Sequence, residues 1–418
     1  MSLHLALLHP MPKSANYMFI FHASTPSSPI ILYLPPGPVL PDCHEEQVRV
    51  LSTLRESSGA TVARINYRAS PSNQYPTPCH DVLAGYDWIR EHLLRDDFKR
   101  PYIARLGVCG ELVGASLATM LALTENRLGL SGIAAAAVNN PIADWVFPDD
   151  LPSGPSTQLP EPVVLDETAL HANEDLGRSK AAQGNVREVS RKCRKRPTRA
   201  QNLPSETSWQ LHGENMIIPA LALTRERDLL FCRPEDRFDR FASPIHFFRS
   251  PRAQLRPTER ADLSTSPQPD ELLDIETRMH LNHYASFGES TQTVPALPIL
   301  TRCRSYARNY PSAGTKQSFP VWTITTGLHS PLSDQSAELA KAIRRSMARH
   351  MLKTHSGRAR WHDVAEKERY EDVAFGQVHL NVMPGVGLWS RQDDNPEWKN
   401  SVEEVGIWMR RGLESGLT

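Results

Sequence analysis

The sequence predicts an α/β protein with a mostly parallel central sheet and helices on both of its faces. Short apolar runs alternate with segments of helical spacing between residues 29 and 150, and the alternation returns between residues 317 and 418. This pattern is typical of parallel sheets, whose strands are buried on both faces and are connected by helices. The length of 418 residues allows one large domain or two ordinary ones.

The first half of the predicted core, residues 29–150, contains four strands and three helices. Its strands are apolar or β-branched, and its helices carry apolar residues three or four positions apart. Asp81 is expected to open the second helix, because a carboxylate favours the first turn. The predicted strands are 29–34, 60–67, 102–109 and 133–138, and the predicted helices are 46–57, one beginning at 81, and 113–123.

The second half of the core, residues 317–418, is predicted to hold two strands and two helices. The strands are 319–326 and 377–382, and the helices are 333–352 and 402–413. The remaining segments are an N-terminal extension (1–28), an insertion or lid (151–237), a return to the core (238–255) and a second insertion (256–316). Both insertions contain Pro-, Ser- and Arg-rich stretches, which predict partial disorder, and residues 270–287 have helical character.

Composition excludes several classes of function. Forty-seven basic and 47 acidic residues give a net charge of zero, so no field attracts nucleic acid or an anionic membrane. No apolar stretch reaches the roughly 18 residues of a membrane span. The six cysteines are scattered, which predicts no disulfide framework, no metal site and no cofactor.

The expected location is the cytoplasm. The leucine-rich N-terminus is interrupted by Pro10 and Pro12 and lacks a cleavage site, so no signal peptide is predicted. The basic run at 191–196 is compatible with a nuclear-localisation or polyanion patch, and equally with a solvated linker, which its Pro- and Ser-rich surroundings favour.

Residues 105–118 read as a buried strand, a sharp turn and a helix. Gly110 and Gly114 flank the turn at the spacing that lets a central side chain project from a strained strand-to-helix corner. That corner usually presents a nucleophile. Here the central residue is Leu112, which has no atom able to attack a carbonyl.

Several motifs, in order, resemble the hormone-sensitive-lipase-like branch of the α/β-hydrolases, with a fungal-type character. The matching segments are Asn66–Pro71, Tyr75-Pro76, Asp81-Val82 with Trp88, Gly110–Gly114, Phe241–Pro244 and Gly327–Asp334. The resemblance implies an α/β-hydrolase fold with an eight-stranded, mostly parallel sheet and a lid above the strand ends. It also implies a relationship to lipases and carboxylesterases.

Placed on the family's motifs, the catalytic positions hold none of the required groups. The nucleophile position is Leu112, the acid position is Ser330, and the histidine position is Val386 within one residue of register. Asp334 matches the second, less central aspartate of the acid loop. The oxyanion loop carries Pro35, Pro36 and Gly37, and proline has no N–H to donate.

Five residues near these positions are candidate substitutes. Ser116 and Cys109 are favoured as buried packing residues, His329 and His379 as ordinary core or rim histidines, and Glu111 as a hydrogen-bonded turn residue. The functional alternatives are a nucleophile for the first two, a base for the histidines, and a pocket carboxylate for Glu111.

The sequence therefore favours a non-catalytic relative of the esterases that binds a small apolar ligand or a protein partner. In the ligand version, Leu112 lines an apolar pocket beneath the lid. One alternative is an active short-chain carboxylic-ester hydrolase with relocated catalytic residues. Another is a structural partner of a second enzyme, with the insertion at 150–205 as the contact.

Overall fold

The fold is known from a computed structural model, which describes most of the predicted core. The described residues are 7–10, 17–23, 28–38, 40, 44–94, 105–126, 132–151, 159–162, 206–256, 299–312, 317–357, 361–392 and 394–414. Within them, the strands are β1 (Leu7–Pro10), β2 (Tyr17–Phe21), β3 (Ile30–Leu34), β4 (Thr61–Ile65), β5 (Leu106–Glu111), β6 (Ile133–Asn139), β7 (Ala253–Arg256), β8 (Ile299–Arg302), β9 (Val321–Gly327) and β10 (Val378–Met383). The α-helices are α1 (His44–Ser58), α2 (Thr77–His92), α3 (Val113–Thr124), α4 (Ser208–His212), α5 (Ala220–Leu230), α6 (Ser333–Ser356), α7 (Val364–Gln377) and α8 (Trp398–Glu414).

Eight of these strands form one sheet in the order β1-β2-β4-β3-β5-β6-β9-β10. The pairs β1–β2 and β2–β4 are antiparallel, and every later pair in that order is parallel. The carboxyl ends of β5, β6 and β9 therefore meet at one edge of the sheet. This edge is where ligands bind in open α/β sheets.

The central strands alternate their side chains between two apolar clusters, one on each face of the sheet. Leu32 and Leu34 face the larger cluster, which also contains residues of α2, α3 and α6. Ile31 and Tyr33 face the smaller cluster, which contains residues of α1 and α8. Burial on both faces explains why these strands are apolar almost throughout.

The N-terminal segment differs from its prediction as an extension, because β1 and β2 are part of the main sheet. Met18 and Ile20 of β2 are fully buried, whereas Phe19 between them is partly exposed. These strands have only four and five residues. Such short runs are difficult to recognise among the neighbouring prolines.

The start of α2 also differs from its prediction. The helix begins at Thr77, directly after Pro76, so Asp81 lies in its second turn. Asp81 is buried and accepts hydrogen bonds from the backbone N–H and the guanidinium of Arg68 at 2.8–3.0 Å. Its carboxylate therefore anchors the segment after β4.

Three helices were absent from the sequence prediction. Helices α4 and α5 lie in the predicted lid, and Trp209 and Leu223 of these helices join the larger apolar cluster. Helix α7 is mostly exposed and rich in charged residues, and Ala374 is its one buried residue among those described. A helix with so narrow an apolar face shows little periodicity.

The described residues fall into two units. The first lies within Met1–Pro148, Val164–Pro251 and Ser305–Thr418, and the second within Asp149–Val163 and Arg252–Arg304. Strands β7 and β8 form an antiparallel pair in the second unit. The chain rejoins the core earlier than the predicted residue 317, because Ser250 N–H donates to Tyr306 O and Arg308 N–H donates to Phe248 O.

Other sequence expectations lie outside the described residues. These are the predicted disorder at 163–205 and 257–298, the helical character of 270–287 and the basic run at 191–196. None of the helices described is long and apolar enough to cross a membrane.

Candidate functional site

The strand-to-helix corner at Leu112 retains the backbone of a nucleophile turn. Leu112 has φ 51° and ψ −114°, a conformation that L-residues rarely adopt. The two glycines are required by close backbone contacts. A Cβ on Gly110 would lie 2.4 Å from Gly114 O, and a Cβ on Gly114 would lie 2.2 Å from Pro35 O.

The side chain of Leu112 is fully buried and belongs to the larger apolar cluster. Two cavities stand out in the described part of the chain, and Leu112 lines neither of them. Leu112 has no exposed surface, so in the described part of the chain it does not line the open apolar pocket that the ligand hypothesis predicts.

The oxyanion loop is closed by hydrogen bonds to its own carbonyl groups. The N–H of the residue after the nucleophile normally supplies one oxyanion donor in this type of turn. Here that residue is Val113, and its N–H donates to Pro36 O at 3.3 Å. Tyr67 Oη donates to Pro35 O at 2.7 Å, which ties the proline loop to the segment after β4.

The predicted acid position, Ser330, is buried, and its Oγ accepts a hydrogen bond from Leu332 N–H at 3.2 Å. Asp334 also forms structural hydrogen bonds. Its carboxylate accepts from Ser208 N–H at 2.7 Å, and its own N–H donates to Ser208 Oγ at 3.1 Å. This reciprocal pair fixes the start of α4 to the start of α6.

The predicted histidine position, Val386, lies in a buried loop after β10. Gly385 and Gly387 on either side have φ values of 64° and 70°. The carbonyl of Val386 accepts from Asn140 Nδ2 at 3.0 Å, and that of Gly387 accepts from Asn139 Nδ2 at 2.9 Å. Two asparagine amides thus hold the loop that contains the predicted histidine position.

Glu111, beside the turn, accepts hydrogen bonds from three groups. Oε1 accepts from Trp389 N–H at 2.6 Å and from Asn139 Nδ2 at 3.0 Å, and Oε2 accepts from Ser390 N–H at 3.2 Å. Burial raises the pKa of Glu111 to about 7, and these hydrogen bonds oppose the rise. The carboxyl joins the end of β5 to the loop after β10.

Asn140 extends this buried network to β9. It has a φ of 46°, and its Oδ1 accepts from Thr326 Oγ1 at 2.9 Å. The sequence analysis missed both asparagines. The available signal was two adjacent polar residues, Asn139-Asn140, directly after an apolar strand and before Pro141.

The other candidate substitutes are Ser116, Cys109, His329 and His379, and no hydrogen bond between any two of them is found among the described residues. Ser116 Oγ donates to Ile142 O at 2.6 Å, and burial raises the pKa of the Cys109 thiol well above its usual value. His329 and His379 are exposed. The ring of His329 lies 5.2 Å from that of His212. Among the described residues, no serine or cysteine side chain forms a hydrogen bond to a histidine ring.

A buried histidine that the sequence analysis did not single out lies elsewhere in the fold. His246 is 1% exposed, and its Nε2 lies 3.9 Å from Asp144 Oδ1. Burial lowers the pKa of His246 to about 4 and outweighs the opposing effect of Asp144, so the ring is neutral at pH 7. Asp144 also pairs with Arg249 at 2.9 Å.

The described residues contain no group of three or more His, Cys, Asp or Glu suited to hold a metal ion.

Comparison with known proteins supports the fold. A family model described as alpha/beta hydrolase fold matches residues 40–194. Carboxyl esterase 2 from the mycorrhizal fungus Tuber melanosporum aligns at 12% identity over 98% of this chain and 85% of its own, with a TM-score of 0.52. A thermostable esterase from Pseudomonas putida aligns at 13% identity over 98% of this chain and 82% of its own, with a TM-score of 0.51. An esterase from Pyrobaculum calidifontis aligns at 14% identity over 97% of this chain and 83% of its own, with a TM-score of 0.50.

No sequence among the curated proteins matches the chain. The chain has the α/β-hydrolase fold, which confirms the predicted fold class and supports the suspected family at that level. The fungal-type branch stays a prediction.

Proposed function

We propose that this protein is a non-catalytic α/β-hydrolase-fold protein that acts by binding. The observation that carries the proposal is the hydrogen bond from Val113 N–H to Pro36 O, together with the complete burial of Leu112. The turn thus offers no attacking atom, and a carbonyl of the same chain occupies the donor that would stabilise an oxyanion.

The groove beside β9, β10 and α8 is the described cavity best suited to a partner, with a volume of about 740 Å³. Trp408 and Ile407 form part of one wall, and Thr325 contributes a buried Oγ1 that has no hydrogen-bond partner among the described residues. Strand β10 is the last strand of the sheet order, so the groove lies at a sheet edge. A protein partner is the version of the binding hypothesis that this geometry favours, and a cytoplasmic location is part of the proposal.

The catalytic part of the proposal is tested with purified protein, a short acyl p-nitrophenyl ester and a fluorophosphonate probe. We expect no turnover above buffer and no covalent labelling. Turnover with labelling of one serine would support the alternative, an ester hydrolase with relocated residues, and would identify its nucleophile.

The first prediction concerns restoring the missing hydroxyl. Leu112→Ser is expected to give no measurable ester hydrolysis, because the variant still lacks a base, an acid and free oxyanion donors. Leu112→Ala is the matched control, since it shortens the same side chain without adding a hydroxyl. Hydrolysis by the serine variant above the alanine variant would contradict the assignment of the lost positions.

The binding part is tested by affinity capture with full-length wild-type protein and the variant Ile407→Ser/Trp408→Ala. Partners held in the groove are expected to be lost from the variant. Val364→Ser, which changes a 70% exposed apolar residue on α7, is the control. Equal capture by all three proteins would place the partner surface elsewhere.

A further inference from the structure

A second cavity of about 80 Å³ lies between α6 and the segment that follows the second insertion. Its lining is strongly basic and, among the described residues that form it, contains no acidic side chain. The basic residues in its wall are Arg308, Arg345, Arg349, His350 and Lys353.

Three of these cations recur at one-turn intervals on α6. Arg345, Arg349 and Lys353 are four residues apart, so their side chains project along one side of the helix. Partial burial, followed by the nearby charge of Arg349, lowers the pKa of Arg345. Partial burial and the charge of Lys353 likewise lower the pKa of His350. Like charges are therefore concentrated here at a cost to the folded protein.

Arg308 approaches the same cavity from the opposite segment and is held in place. Its Nη1 donates to His246 O at 2.8 Å, and its backbone N–H donates to Phe248 O at 2.8 Å. Tyr310, two residues later, also lines the cavity, and its hydroxyl donates to Leu123 O. The wall opposite α6 is thus fixed before any ligand arrives.

We infer that this basic cavity binds the phosphate group of a small phosphorylated ligand. Guanidinium groups pair with phosphate oxygens through two parallel hydrogen bonds, and clustered arginines are the usual means of recognising a phosphate. The volume suits one such group rather than a large apolar ligand. The inference is independent of the proposed loss of catalysis, because none of the lining residues belongs to the Leu112 turn.

The test is calorimetric titration of the full-length protein with inorganic phosphate and with glycerol 3-phosphate at pH 8 and constant low ionic strength, with chloride as the reference anion. Saturable binding of one equivalent is expected for both phosphates and not for chloride. Arg345→Gln/Arg349→Gln is expected to weaken binding by about tenfold or more, a change of about 1.4 kcal/mol. Its thermal unfolding temperature should not fall, since the substitutions remove like charges.

The control variant Lys367→Gln/Arg369→Gln removes two positive charges from α7, outside the cavity. It should retain the wild-type affinity. The proposal is overturned if neither phosphate binds, if the α6 variant binds as wild type does, or if the control weakens binding equally, since that last result would reflect net charge alone.

Discussion

Leu112 occupies a strand-to-helix turn of the kind that usually presents a nucleophile. A bulky side chain at positive φ costs about 1–3 kcal/mol, and its full burial stabilises the fold by about 1.5–3 kcal/mol. The two contributions are of similar size. Gly114 lets the start of α3 lie against the oxyanion loop, and Gly110 lets β5 approach the first turn of α3, so the corner packs β5 against α3.

Glu111 provides the second prediction, which concerns stability and pH. Its pKa rises from 4.5 to about 7 on folding, so the folded state binds more protons than the unfolded state between these values. Its contribution to stability is therefore lost as the pH rises through that window. The free energy of unfolding of Glu111→Gln, relative to that of wild type, should increase by about 3 kcal/mol between pH 5 and pH 8. Urea unfolding of both proteins at the two pH values measures this.

The comparison with wild type cancels the contributions of other buried groups, such as Glu226 and His246, whose pKa values are also shifted. Glu368→Gln, on the exposed side of α7, is the matched control and should leave the pH dependence unchanged. A Glu111→Gln variant with the wild-type pH dependence would show that the carboxyl is not desolvated.

At the scale of elements, Asn139 at the end of β6 and Asn140 directly after it form a buried hydrogen-bond network. They connect the ends of β5, β6 and β9 to the loop after β10 through buried side-chain amides. The loop that holds the predicted histidine position is thereby fixed by hydrogen bonds to its backbone.

The third prediction tests this network at Asn140. Asn140→Gly keeps the positive φ but leaves the Val386 carbonyl and the Thr326 hydroxyl without their partner, which should cost about 1–3 kcal/mol. Asn140→Ala should cost about 1 kcal/mol more, because alanine is strained at this φ. Urea unfolding of the two variants separates the cost of the lost hydrogen bonds from the cost of backbone strain. Equal stability of the glycine variant and wild type would show that the network contributes nothing.

Sequence reasoning located the central strands because their burial on both faces makes them apolar, as in 30–34 and 106–111. It missed α7, whose buried face is a single alanine, and the short strands β1 and β2. At the candidate site, it judged residues such as Leu112 and Pro36 unsuitable by their chemistry, and their assignment to catalytic positions stays a prediction. It did not detect the bond from Val113 N–H to Pro36 O, because that contact depends on how two loops pack.

At the scale of the whole molecule, β1 and β2 close one side of the main sheet. They cover β4, whose five residues are all buried. Met18 and Ile20 of β2 add two fully buried side chains to the larger apolar cluster. Without this pair, a buried strand would become a free, apolar edge, which is a template for association.

The fourth prediction is that deleting residues 1–21 converts the protein into an aggregating species. Burial of Met18 and Ile20 would be lost, at about 1.5–3 kcal/mol each, and β4 would expose its hydrogen-bonding groups. Size-exclusion chromatography with light scattering should show large assemblies. Met18→Ala/Ile20→Ala is the control: it should lower the unfolding temperature while the protein stays monodisperse, since β2 still covers the edge. A deletion variant that stays monodisperse and melts like this control would mean that β2 contributes apolar burial but no edge protection.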